Sequence, residues 1–305
     1  MKNADYWKDA VHMNTHKRRI ESMRIIQVPT YMTMEELEAL QIVPDATVEA
    51  EYGEKVIEGK YVTLAHHAPQ YVHCPAPCCA STKELSKDAM IIISHIDLDT
   101  VGGCLALMGE KPENEAFWSG AGFIDCNGIH HIHELSENVQ QQLNAVYAWN
   151  ESQHLERSME VRDVTALIVS FGEAIRKILL GDFGMLADGE RWAKEVEAKT
   201  ENCLVWENGR LRMFEIPDNT FCSAAYYSPK YGKIAEATLA YNLWKKSITI
   251  AFADGGKTYS AKEIVQEIWG ELAGGHRGIA GSPRNQEMQQ EDWEKAKEKM
   301  RELLG

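Results

Sequence analysis

The stretch AMIIISHIDLDTVGG, residues 89–103, constrains this chain more than any other. Ala89-Met90-Ile91-Ile92-Ile93 is a short apolar run rich in β-branched residues. Such a run fits a strand buried on both faces, as in a parallel sheet covered by helices. It ends abruptly in His95, Asp97 and Asp99, followed by Gly102-Gly103. In an extended segment, positions i, i+2 and i+4 project to one side. One imidazole and two carboxylates on one side suit a hard or borderline divalent cation, Mn²⁺ or Mg²⁺. Ligands of open α/β sheets bind outside the carboxyl ends of the strands. The glycine pair would let the next helix approach closely and turn its first amides towards an anion. An ordinary helix N-cap accounts for one acid, but not for a histidine and two acids in register.

With 305 residues the chain has room for two domains. Thr33 and Glu36 have capping-box spacing at the head of a helix over residues 32–40. Residues 47–52, 60–65, 90–94 and 120–125 read as strands, and 134–198 as largely helical. Asp163 would cap one of those helices, and Gly181-Asp182 would stop it. The polar run 199–202 marks a domain boundary. Beyond it, strands at 203–206, 211–216, 221–227 and 247–252 are separated by turn residues such as Asn208-Gly209. Helices over 261–272 and 290–304 complete the chain. The expected architecture is α/β in two domains: a mainly parallel one over 1–198 and a smaller strand-rich α/β one over 199–305.

The formal net charge of -14 argues against a long nucleic acid as partner. The basic run KRR at 17–19 reads as a solvated helix face. No 18-residue apolar run offers a membrane span. The charged N-terminus lacks the apolar core of a signal peptide, so a cytoplasmic protein is expected. Seven cysteines without a secretory signal make disulfides unexpected. HCPAPCC, residues 73–79, has zinc-type ligands but not the paired C-x-x-C spacing. Cys74, Cys78 and Cys79 there read as buried or incidental thiols.

Histidines cluster at 66–73, 95, 130–133 and 276, which points to several meeting at one site. His66-His67 and His130-His131 are both candidate pairs. AGGHRGIAGSPR, residues 273–284, is the other specific stretch. Its glycines expose backbone amides, while His276, Arg277 and Arg284 add donors and positive charge. Together with Gly274 and Gly275 these would cradle a phosphate or carboxylate.

The two stretches carry a family resemblance. Gly274-Gly275-His276-Arg277-Gly278-Ile279-Ala280-Gly281 resembles the GGHxxAAG signature of the DHHA1 domain. His95-x-Asp97-x-Asp99-x-x-Gly102 resembles HxDxDxxG, the first motif of the DHH phosphoesterase superfamily. Their order and separation also match, and together they cover most of residues 90–284. The resemblance implies a two-domain enzyme with a cleft between a DHH-like and a DHHA1-like domain. One or two Mn²⁺ ions would sit on the first, held by His95, Asp97, Asp99 and Asp125, the last as the second-motif acid. Asp99, His130 and His131 would be catalytic, the histidines standing for the third motif. Gly274, Gly275, His276, Arg277 and Arg284 would bind the substrate's phosphate. The implied reaction is hydrolysis of a phosphoester or phosphoanhydride, the metal activating water and offsetting charge on phosphorus.

The chain also departs from that pattern. It has no Asp-His-His string, and Ala65-His66-His67 precedes the first motif. Asp182 and Asp188 are candidates for a fourth acid. The first 89 residues lie outside the family pattern and offer His66 and His67 as the missing pair, so both join the metal candidates. The expected function is a metal-dependent phosphoesterase acting on a small phosphorylated substrate, such as a nucleotide or short oligonucleotide. A catalytically inactive nucleotide-binding or regulatory protein of the same fold is one alternative, and an inorganic pyrophosphatase is another. A homodimer is left open.

Overall fold

The computed structural model describes residues 23–153 and 160–305. The KRR stretch lies outside them. Two compact units result. One runs to Cys126 and resumes over Ser136–Trp192; the other takes Asn127–Leu135 and Ala193–Gly305. They differ from the expected 1–198 and 199–305 in two places. The change falls inside a helix, between Trp192 and Ala193, and residues 127–135 go with the second unit.

The first unit runs β1 (Arg24–Gln27), α1 (Met34–Ala39), β2 (Ala46–Val48), a small hairpin β3 and β4 (Glu51–Tyr52, Lys55–Val56), β5 (Val62–Leu64) and β6 (Met90–Ile93). Then come α2 (Leu98–Met108), α3 (Glu115–Asn127), α4 (Glu137–Ser152), the short β7 (Arg162–Asp163), α5 (Thr165–Leu179) and, up to Trp192, the first half of α6 (Phe183–Asn202). The capping box at Thr33 is formed: the Glu36 N–H donates to Thr33 Oγ1, and the Thr33 N–H donates to Glu36 Oε2.

The sheet order is β5-β2-β6-β1-β7, parallel except for the antiparallel edge strand β7. Ile91, Ile92 and Ile93 of β6 are fully buried, as a strand in the middle of such a sheet requires. Register matters most for function. Val48 stands opposite both Leu64 and Ile93. The carboxyl ends of β2, β5 and β6 are therefore level and adjacent.

Residues 120–125 are not a strand but the interior of α3. GAGFID is short and apolar enough to read either way. Tertiary packing decides it: a Cβ at Gly122 would lie 2.5 Å from Cys79 Sγ, so the small face of a helix is what fits there. The HxDxD run is only partly extended. A helix begins at Leu98, so Asp97 is its N-cap and Asp99 sits in its first turn. The close approach expected at the glycine pair is present. A Cβ on Gly102 would lie 2.5 Å from Cys78 Cβ and 2.8 Å from the Trp118 ring. Gly102→Ala is expected to cost about 1–3 kcal/mol through overpacking, read as a lower urea midpoint. An unchanged midpoint would contradict this packing of α2.

The second unit holds β8 (Leu204–Glu207), β9 (Leu211–Ile216), β10 (Tyr227–Ser228), β11 (Lys233–Ile234), β12 (Ala237–Asn242), β13 (Ser247–Phe252), α7 (Ala261–Trp269), β14 (Gly274–Gly275), β15 (Ile279–Gly281) and α8 (Gln290–Leu304). Its main sheet has the order β14-β15-β13-β12-β9-β8 and is mixed, with β9 and β12 parallel. Its core includes Leu239, Ile248, Ile250, Val265, Trp293, Met300 and Leu304. Most of the strand expected over 221–227 is a loop. The buried Arg212 side chain holds it by donating to the carbonyls of Ala225 and Tyr227. Strand β12, not foreseen in the sequence, pairs with β9 and β13 instead.

Candidate metal centre

Three parallel strands deliver ligand-type side chains at their level carboxyl ends. Glu49 follows β2, His66 and His67 follow β5 after Ala65, and Ser94–Asp97 and then Asp99, in the first turn of α2, follow β6. Asp125 and Cys126 come from the last turn of α3. His66 Nε2 lies 3.0 Å from Asp125 Oδ2, 3.3 Å from Glu49 Oε1 and 3.6 Å from Asp99 Oδ2. His67 Nε2 lies 3.4 Å from Glu49 Oε2. Two three-donor groups share His66: Glu49 with His66 and His67, and His66 with Asp125 and Cys126. Within each, the donor atoms lie within 4.8 Å of one another. Donors bound to one ion at about 2.1 Å stand roughly 3–4 Å apart, so both groups are compact enough for an ion.

The backbone is arranged to hold these side chains. Glu51 accepts three amides in succession, from His66 (3.0 Å), His67 (2.9 Å) and Ala68 (2.6 Å). One carboxylate thus fixes the loop that presents both histidines. Glu49 itself has φ +51, a left-handed conformation that costs a side-chain-bearing residue energy and clusters at functional sites. The Cys78 N–H donates to Asp99 Oδ1 at 2.8 Å and leaves Oδ2 facing His66.

The electrostatics test whether a cation fits. Glu49 Oε1, His66 Nε2, Asp99 Oδ2 and Asp125 Oδ2 are all buried and lack a hydrogen-bond partner. The 3.0 Å contact of His66 with Asp125 is a close charge contact, not an aligned hydrogen bond. Buried polar atoms are ordinarily bonded, and three orphaned oxygens converging on an imidazole nitrogen that is itself unbonded need a common cause. Burial, then the charges of Asp99, Glu51, Asp97 and Asp125, push the Glu49 carboxyl up to about 10. Burial also raises Asp99 to about 6; the bonds from Cys78 oppose this, and Asp125 and Asp97 add to it. For His66, burial works against the proton, but contact with Asp125 and its charge prevail and raise the pKa. So much buried acid is costly without positive charge. A divalent cation on these oxygens and nitrogens would satisfy all four orphans together, and the donor set suits one.

No family model and no curated protein matches the sequence. Among solved structures, a pGpG-specific phosphodiesterase, PggH, from Vibrio cholerae is similar at a TM-score of 0.40 and 11% identity. The match covers 87% of this chain and 86% of that one. An uncharacterized protein from Helicobacter pylori G27 is similar at a TM-score of 0.23 and 11% identity, over 62% of this chain and 53% of the other. Likenesses this low assign neither a fold family nor an activity.

His95 and Asp97 pair with each other, Nε2 to Oδ2 at 2.9 Å, and His95 Nδ1 lies 2.8 Å from Ser94 Oγ. Asp97 Oδ1 also accepts the Thr100 N–H. Although burial raises it, the bonds and charge of His95 and the amide of Thr100 bring Asp97 down to about 2. His95 borders a cavity of about 280 Å³ shared with Thr30, Glu49, Glu51, Gly53 and His67. His130 and His131 lie in the second unit, on a 3-10 turn over Ile129–Glu134, and neither belongs to a donor group. His130 is buried edge-on against Tyr226; burial, with His131 beside it, lowers its pKa to about 4. His131 Nδ1 pairs with Glu134 at 2.7 Å. Among the described residues, no donor group includes Cys74, Cys78 or Cys79.

In the second unit a cavity of about 660 Å³ is lined by Gly274, Gly275, Gly281, Ser282 and Arg284, among others. His276 and Arg277 are not in its wall. Arg277 Nε instead donates to the Gly256 carbonyl, and its guanidinium pairs with Glu263. Gly275, at φ +149, could not carry a side chain there: a Cβ would lie 2.6 Å from the Ala280 Cα. Among the described residues no helix is long and apolar enough to cross a membrane. Sequence reasoning missed Glu49, Glu51 and Cys126. Glu49 did carry a signal, since it directly follows the strand ATV, much as His95 follows MIII one residue later.

Proposed function

We propose that this chain is a metal-dependent phosphoesterase that hydrolyses a small phosphorylated substrate, such as a nucleotide or short oligonucleotide, with Mn²⁺ or Mg²⁺. The observation that carries this reading is the set of four buried, unbonded donor atoms formed by His66 Nε2 and the Glu49, Asp99 and Asp125 oxygens around it. Glu49, His66, His67, Asp99 and Asp125 would hold one or two ions. When bound, such an ion activates water and neutralises charge developing on phosphorus. The other residues do the positioning. Glu51 fixes the histidine loop, Cys78 orients Asp99, and Asp97 orients His95 at the neighbouring cavity. In the second unit, glycine amides, Ser282 and Arg284 around the 660 Å³ cavity suit an anionic group, and the volume falls in the range of small-ligand sites. The resemblance of the glycine loop to a DHHA1 domain, and of the strand-end run to the first DHH motif, supports the same reading.

The test is hydrolysis by the full chain with Mn²⁺ of a linear dinucleotide, a nucleoside bisphosphate, pyrophosphate and bis-p-nitrophenyl phosphate. Turnover of at least one ester is expected. Glu49→Gln should lower it by more than the ~10–100-fold typical of a partner outside the ligand set. Hydrolysis of pyrophosphate alone would instead mark a pyrophosphatase. Nucleotide binding without turnover would mark a binding protein.

A further inference from the structure

Divalent ions differ in the donors they prefer. Mn²⁺ and Mg²⁺ favour oxygen and accept imidazole, whereas thiolate favours zinc and other borderline or soft ions. The two donor groups that share His66 differ in this respect. Glu49, His66 and His67 offer oxygen and nitrogen; His66, Asp125 and Cys126 add a sulfur. Cys126 Sγ lies 3.9 Å from His66 Nδ1, and Cys126 is exposed, so an ion in solution can reach it. A cysteine near a histidine is not by itself a site. Here the histidine side chain is 5% exposed, its Nε2 has no hydrogen-bond partner, and Asp125 Oδ2 beside it is orphaned too. Three donor types from two elements, the β5 loop and the end of α3, thus lie within 4.8 Å of one another.

We propose that the centre has two unlike halves, and that the His66–Asp125–Cys126 half is a thiolate-containing position for an ion of the Zn²⁺, Fe²⁺ or Co²⁺ class. The Glu49–His66–His67 half remains the Mn²⁺-type position, and since a neutral imidazole offers one lone pair, His66 serves one half at a time. The inference rests on the reading of a divalent-cation centre and adds the identity of one ion. On binding, the S–H bond of Cys126 breaks, a sulfur–metal bond forms and the proton passes to solvent.

The test uses the metal-stripped full chain titrated with Co²⁺, then with Zn²⁺ and Mn²⁺ by calorimetry. The wild type should show a near-ultraviolet thiolate-to-cobalt charge-transfer band, and Cys126→Ser should lack it. Cys79→Ser, which alters another exposed thiol, should keep it. Any imidazole-carboxylate site binds Zn²⁺ more tightly than Mn²⁺. The informative quantity is therefore the ratio of the two affinities. That ratio should fall in Cys126→Ser by at least the ~10–100-fold that an outer partner is worth, with Mn²⁺ affinity kept. A wild type that binds Co²⁺ without the band would overturn the proposal and leave the phosphoesterase reading intact. So would a band that survives in Cys126→Ser, or equal losses of Zn²⁺ and Mn²⁺. A wild type that takes up no divalent ion would overturn both.

Discussion

Asp99→Asn is expected to make the metal-free protein more stable and the protein in Mn²⁺ less able to bind it. Asp99 is 3% exposed, and its carboxyl is raised to about 6 by burial and by Asp125 and Asp97. A carboxyl whose folded pKa lies above its unfolded value of about 4 costs stability wherever it must ionise. The penalty is absent below about pH 4, grows between 4 and 6, and is complete above 6. Asparagine keeps an acceptor for the Cys78 N–H and removes the charge. The metal-free variant should therefore gain about 1–3 kcal/mol above pH 6 and nothing near pH 4. With metal the order reverses. A ligand at a hundredfold excess over its Kd stabilises the wild type by about 2.7 kcal/mol, and the variant forgoes most of this. Thermal melts in EDTA and in Mn²⁺, at pH 4 and pH 8, check both signs. A variant less stable than wild type in EDTA at pH 8 would show that Asp99 is structural and not held in place for a cation.

Glu51→Ala is expected to damage the site without touching a donor atom. Glu51 accepts the amides of His66, His67 and Ala68, and hydrogen bonds to a charged acceptor are worth about 1.5–3 kcal/mol each. These bonds are partly solvent-exposed, and removing the charge also relieves Glu49, so the net loss should be about 2–4 kcal/mol. That corresponds to a fall in Tm of about 5–10 °C. Metal affinity should drop ~10–100-fold as the loop loses its anchor. Glu51→Gln keeps one acceptor oxygen and should recover part of both losses. If neither quantity moved in Glu51→Ala, the loop would have to be held by something else.

Much of the local structure was legible because its causes are local. Thr33 and Glu36 announce a helix start through a reciprocal bond three residues apart, and that bond is present. The run MIII reads as a buried strand because it is short and β-branched with no polar face, and β6 lies in the middle of its sheet. Gly102 reads as a close approach, and Cys78 and Trp118 occupy the space. GAGFID misled because small apolar residues suit a strand and the packed face of a helix equally. The strand ATLAYN is not evident in the sequence, although its antiparallel neighbour β13 follows it closely.

By itself the sequence determined that His95, Asp97 and Asp99 follow a strand end, and it offered the histidine clusters and a glycine loop as further candidates. Only the tertiary structure decided which of them meet. His66 and His67 join Glu49, Asp99 and Asp125, while Asp97 turns to cap a helix and to hold His95. The reason is register. A parallel sheet pairs strands far apart in sequence, and nothing local in ATV, VTL or MIII states that Val48, Leu64 and Ile93 end level. Once they do, three loops open on one edge and their acids and imidazoles are forced together.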